Sequence, residues 1–70
     1  MKVSYKNLWK IMIDRNINKT ELRQLSGIST ATLAKLGKNQ IVSMEALMRI
    51  CIALQCDIKD ICEFIPDNTN

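Results

Sequence analysis

The apolar residues of this chain recur with a helical period, and a capping or breaking residue interrupts the pattern after every few turns. Asn18, the triplet Gly27-Ile28-Ser29, Asn39, Ser43 and Asp57 divide the 70 residues into five short segments. Strand-like alternation is missing. Helices this short cannot line up along one another as an up-and-down bundle, so the pattern predicts an all-α, compact five-helix domain with orthogonal packing. The length admits a single domain over residues 1–70, ending in a polar tail at 66–70 that begins with Pro66.

Each segment carries its own signals. Ser4 is placed to N-cap the first helix, with Val3 before it and Leu8 after it as a hydrophobic staple, and Tyr5, Leu8, Trp9 and Met12 form a core stripe. Asn18 with Glu21 matches an N-terminal capping pattern for a second helix whose apolar face is Leu22 and Leu25. Gly27 ends that helix by taking positive φ, Ile28 plugs the core, and Ser29 caps a third helix from Thr30 to near Lys38, where Asn39 supplies a left-handed stop. Ser43 caps the fourth helix, with Leu47, Ile50, Cys51 and Leu54 inward. Asp57 caps a fifth, with Ile58, Ile61 and Cys62 on one face.

Several function classes fall away. The longest apolar run, Ile50 to Leu54, is far below the ~20 residues a membrane span needs, and no signal-peptide core follows Met1, so the expectation is a soluble cytoplasmic protein without a membrane partner. Histidine is absent, and with it the commonest proton shuttle near neutral pH. Only Gly27 and Gly37 occur, so there is no glycine-rich phosphate loop. Cys51, Cys56 and Cys62 are odd in number and lack CxxC spacing, which argues against a disulfide framework or a zinc site. They read as small core residues, the alternative being an intermolecular or regulatory thiol. No enzyme, metal, cofactor or small-molecule ligand is expected.

The net charge of +3 conceals an uneven distribution. Residues 1–40 hold eight bases against two acids, whereas residues 41–70 hold two bases against five acids. A basic end of this kind meets a polyanion, unless the charges simply line solvated faces. The third segment sharpens the first reading. At ~100° per residue, Ala31, Ala34, Lys35 and Lys38 share one side of the helix and Leu33 and Leu36 lie nearly opposite. Methyl groups beside long cations let a backbone approach the major groove of duplex DNA, where lysine donates to guanine and a methyl meets thymine. Thr30 and Ala31, at the front of the helix, enter deepest. Ser29 and the first-turn N–H groups suit a phosphate. Lys19 opens the second helix, where the helix dipole disfavours a cation unless an anion joins it or water simply solvates it.

Residues 18–39 resemble the helix-turn-helix of the lambda-repressor-like, Cro/XRE family of DNA-binding domains, and the resemblance extends over about residues 4–65. It is carried by Glu21-Leu22, the Gly27-Ile28-Ser29 turn, Leu33 and Leu36, and a closing run, Ala53-Leu54-Gln55-Cys56-Asp57-Ile58-Lys59-Asp60-Ile61, similar to the family's Ala-Leu-Gly-Val-Ser ending. The resemblance implies phosphate contacts at Lys19, Ser29 and Lys38 and base reading by Thr30, Ala31 and Lys35, the same positions that the helical geometry picks out. It also implies that Cys56 takes the place of a buried valine. Three positions depart from the pattern: Lys19 for glutamine, Arg23 for a small buried alanine, and Gly37 for glutamate. The expected function is a sequence-specific double-stranded DNA-binding transcriptional regulator, a homodimer on an inverted repeat. Ile61, Phe64 and Ile65 are candidates for the dimer interface or for packing onto the first helix. The alternative is an antitoxin-like or adaptor protein-interaction module on the same fold.

Overall fold

The computed structural model describes residues 2–66 and, among them, four α-helices and a two-stranded ribbon. In chain order these are β1 (Lys2–Ser4), α1 (Lys6–Asp14), α2 (Lys19–Ser26), α3 (Thr30–Gly37), α4 (Met44–Leu54), a single 3-10 turn (Ile58–Asp60) and β2 (Glu63–Ile65). The expected polar tail lies, past Pro66, outside the described residues.

The caps read from the sequence close most of these elements. Asn18 Oδ1 accepts from the Glu21 N–H at 2.8 Å, and Glu21 Oε1 accepts from the Asn18 N–H at 3.0 Å, a complete capping box for α2. Gly27 ends α2 at φ 76°, donating its N–H to the Arg23 carbonyl. Ser43 Oγ accepts from the Ala46 N–H at the start of α4. Asn39 sits at φ 55°, the left-handed stop after α3.

Four expectations need correction. The fifth helix is only a 3-10 turn: Asp57 caps it, but after Asp60 the chain goes extended and pairs with the other end of the protein. The strands that alternation did not reveal are three residues each, with Val3 opposite Phe64 and Ser4 opposite Glu63, and three residues are too few to show a period of two. Ser4 therefore belongs to β1. Tyr5 takes the N-cap position of α1 without a side-chain cap, and Ser4 Oγ accepts instead from the Lys6 N–H at 3.4 Å. Leu25 does not share the buried face of α2. It is 59% exposed, because the short helix turns Leu22 and Ser26 inward; Ser26 donates its hydroxyl to the Leu22 carbonyl at 2.6 Å.

The core gathers Tyr5, Leu8, Leu22, Leu36, Ile50, Leu54 and Ile61, all effectively without solvent contact, with Met12 and Ile28 beside them. Burial of these side chains is the main stabilising term, at roughly 1.5–3 kcal/mol each before chain entropy is subtracted. Ile61 is thus a core residue and not an interface residue, while Phe64 and Ile65 are exposed on β2. Of the cysteines, Cys62 is buried; Cys51 and Cys56 are half-buried against the core. Two long-range bonds tie the ends of the helices together. The Arg15 guanidinium donates to the Leu54 carbonyl at the end of α4, and Tyr5 donates its hydroxyl to the Gln40 carbonyl at 2.7 Å.

Candidate nucleic-acid interface

The helix that follows the Gly27-Ile28-Ser29 corner is eight residues long, ~12 Å, and strongly two-faced. Leu36 is fully buried and Leu33 half-buried against the core. Thr30, Ala31, Ala34, Lys35 and Lys38 are all exposed, and no described segment covers them. The tight corner sets this orientation: Ile28, 5% exposed, pins the turn to the core, and left-handed Gly27 reverses the chain between α2 and α3.

Ser29 is the N-cap of α3. Its Oγ accepts from the Thr32 N–H at 3.1 Å and donates to Thr32 Oγ1 at 3.0 Å. With the hydroxyl committed to Thr32, an anion arriving here meets the first-turn N–H groups of α3 and the positive end of its dipole before the Ser29 side chain itself.

Lys19, the first residue of α2, is exposed, and its Nζ lies 5.1 Å from the centroid of the Trp9 ring. Sequence reasoning missed this contact, since residues 9 and 19 lie on different helices and nothing local links them. The π-face gives the ammonium a favourable partner that the N-terminus of α2 cannot supply. The same Nζ is 3.9 Å from where a Cβ on Gly37 would stand, so Lys19 reaches across to the end of α3. Thus Lys19 and Lys38 stand at the C-terminal end of α3, Ser29 at its N-terminal end, and Thr30, Ala31 and Lys35 between them. Arg23 is half-buried on α2, which nevertheless packs on α3 as well as on α4, and Gly37 is the last residue of α3, where a shortened helix is simply a finished one.

A second residue that the sequence did not single out is Arg49 on α4. Its Nη1 lies 3.3 Å from the Cβ position of Gly27, while Nε and Nη2 donate to Glu45 Oε2 at 3.2 and 2.9 Å. The ion pair offsets the charge of this arginine beside the turn, and Lys19, Lys35 and Lys38 are the lysines that stand at α3.

Two helices joined by a tight glycine corner, the second anchored by leucines and presenting small and basic residues outward, define a helix-turn-helix domain. Residues 7–67 match the family described as the Cro/C1-type HTH DNA-binding domain, and the chain belongs to it. The chain is also similar to a solved structure described as the transcriptional regulator VanUg, with 52% sequence identity and a TM-score of 0.89 over 94% of this chain and 88% of that one. No curated protein matches the chain. Among the described residues, no helix is long and apolar enough to cross a membrane.

Proposed function

We propose that this protein is a sequence-specific regulator of transcription that reads the major groove of duplex DNA with α3. The observation that carries the reading is the uncovered outer side of α3, with Ala31, Ala34, Lys35 and Lys38 exposed while Leu36 is sealed inside. An α-helix fits the ~12 Å major groove, and alanine on this side allows close approach. Thr30, Ala31 and Lys35 read bases. Lys19, Lys38 and the N-terminal turn of α3 at Ser29 hold phosphates on either side and set the register. The similarity to a protein described as a transcriptional regulator supports this role.

One copy of α3 spans too few base pairs to select a genomic site, so the working form is a homodimer on an inverted repeat, with half-sites about one helical turn apart. Selection of bound sequences from a random duplex pool tests the reading, because it reports half-site and spacing together. Lys35→Ala is expected to relax base preference at one position of each half-site, whereas Lys38→Ala weakens all sequences alike. A chain that retains no duplex at low ionic strength would instead be a protein-interaction module.

A further inference from the structure

We infer that the outer face of α4, together with Ile41 and Phe64, is the surface on which a second copy of this chain docks, which builds on the two-fold reading proposed above. Met44, Met48 and Ile52 recur every fourth residue along α4 and are 61%, 56% and 73% exposed. Ile41 is 80% exposed and Phe64 69%. These are not scattered. Ile41, Met44 and Phe64 line one groove of about 260 Å³, and Met48 and Ile52 continue its apolar surface along the helix.

Exposed in this way, the five side chains present roughly 600 Å² of largely apolar surface, the upper end of what a stable monomer leaves uncovered. Pairing two such faces removes roughly 1,200 Å² from water, where specific protein interfaces begin. The stripe is also self-complementary. Two α4 helices crossing antiparallel about a two-fold axis at Met48 bring Met48 against Met48 of the partner subunit and Met44 against Ile52 of the partner subunit, so these three side chains meet apolar ones while Ile41 and Phe64 extend the contact at each end. Methionine adapts its shape to such contacts. The Glu45–Arg49 ion pair, 2.9 Å between Oε2 and Nη2, flanks the stripe on the side of the Gly27 corner and forms the polar rim expected around an apolar centre.

Placement favours a second copy over another partner. The face begins at Ile41 and Met44, immediately beyond α3, so docking there holds two α3 helices in a fixed relation, as two half-sites require. The unpaired edge of β2 is the other route to a dimer, but three residues offer only a few ladder bonds.

Sedimentation of the purified chain tests this without DNA. The expected result is a dimer with a Kd of micromolar order or tighter. Met48→Glu and Ile52→Glu should each weaken it by about a hundredfold or more, with far-UV circular dichroism unchanged, because both side chains are exposed within one copy; the melting temperature of the wild-type chain should rise with concentration and that of the variants should not. Met48→Lys alone should also be monomeric, and an equimolar mixture of M48E and M48K should recover dimers, since the two residues face each other. A chain that stays monomeric at ~100 μM, a dimer indifferent to charge at positions 48 and 52, or a mixture that stays monomeric overturns the inference. DNA binding that fails while the dimer persists sinks the regulatory reading and leaves this surface standing.

Discussion

Gln55 and Gly27 end their helices in the same left-handed region, at φ 55° and 76°, yet only one of them is glycine. A side chain in that region costs about 1 kcal/mol, so Gln55→Gly should raise stability by roughly 0.5–1 kcal/mol in urea unfolding, and Gly27→Ala should lower it by about 1–2 kcal/mol. The alanine at position 27 must also displace Arg49 Nη1, 3.3 Å away, which a flexible side chain allows, so backbone conformation dominates the loss. Gln55 takes this conformation as the C-cap of α4, its N–H turned back onto the Cys51 and Ile52 carbonyls. The thiols obey a different constraint. Burial, reinforced by the neighbouring Cys56, pushes Cys51 from the ordinary 9.0 up to about 11, and burial raises Cys56 and Cys62 as well. Labelling by a thiol reagent at pH 8 should therefore be much slower in the folded chain than in urea. Because the folded values lie above the unfolded ones, this contribution to stability is complete below pH 9 and is lost as pH rises through about 11. The melting temperature should fall across that window, less steeply in Cys51→Ala.

α3 is too short to hold itself together, since isolated helices of eight residues do not persist in water. Its inner side and its exit hold it. Leu36 is fully buried, so Leu36→Ala should cost about 2–5 kcal/mol and abolish DNA binding by melting α3 away from the core. The exit is held by Tyr5, which donates its hydroxyl to the Gln40 carbonyl at 2.7 Å and its backbone N–H to Asn39 Oδ1 at 3.4 Å. Tyr5→Phe leaves the Gln40 carbonyl short of a partner and should cost about 1 kcal/mol by chemical denaturation, with the fold retained. Faster amide exchange in the segment from Lys38 to Val42 than elsewhere would show that the latch acts locally.

For the assembled protein the sharpest prediction concerns ions. If Lys19 and Lys38 each neutralise a phosphate in both copies, log K for duplex DNA should fall against log salt with a slope of about −3.6 for the dimer and about half that for a monomeric Met48→Glu variant on a half-site. A slope near zero in both forms would remove the electrostatic basis of the regulatory reading. Two acids of the C-terminal half are paired within the chain, Glu63 with Lys6 at 3.4 Å and Glu45 with Arg49 at 2.9 Å, the latter beside the Gly27 corner.

Local signals carried much of this molecule. Asn18, Gly27, Ser29, Asn39 and Ser43 act on backbone groups within a few residues, so their roles as caps and stops could be read directly, and so could the two-faced character of α3, which depends only on helical period. What no local pattern contained was contact between distant parts of the chain. The pairing of Lys2–Ser4 with Glu63–Ile65 turns a would-be fifth helix into a strand, because those backbone groups find partners sixty residues away rather than within their own segment. In the same way, only folding brings the Lys19 ammonium over Trp9, turns Leu25 outward while Ile61 goes in, and joins Ile41, Met44 and Phe64 into one groove. Capping and periodicity are properties of neighbours along the chain, whereas burial and the meeting of charges with π-faces are properties of neighbours in space.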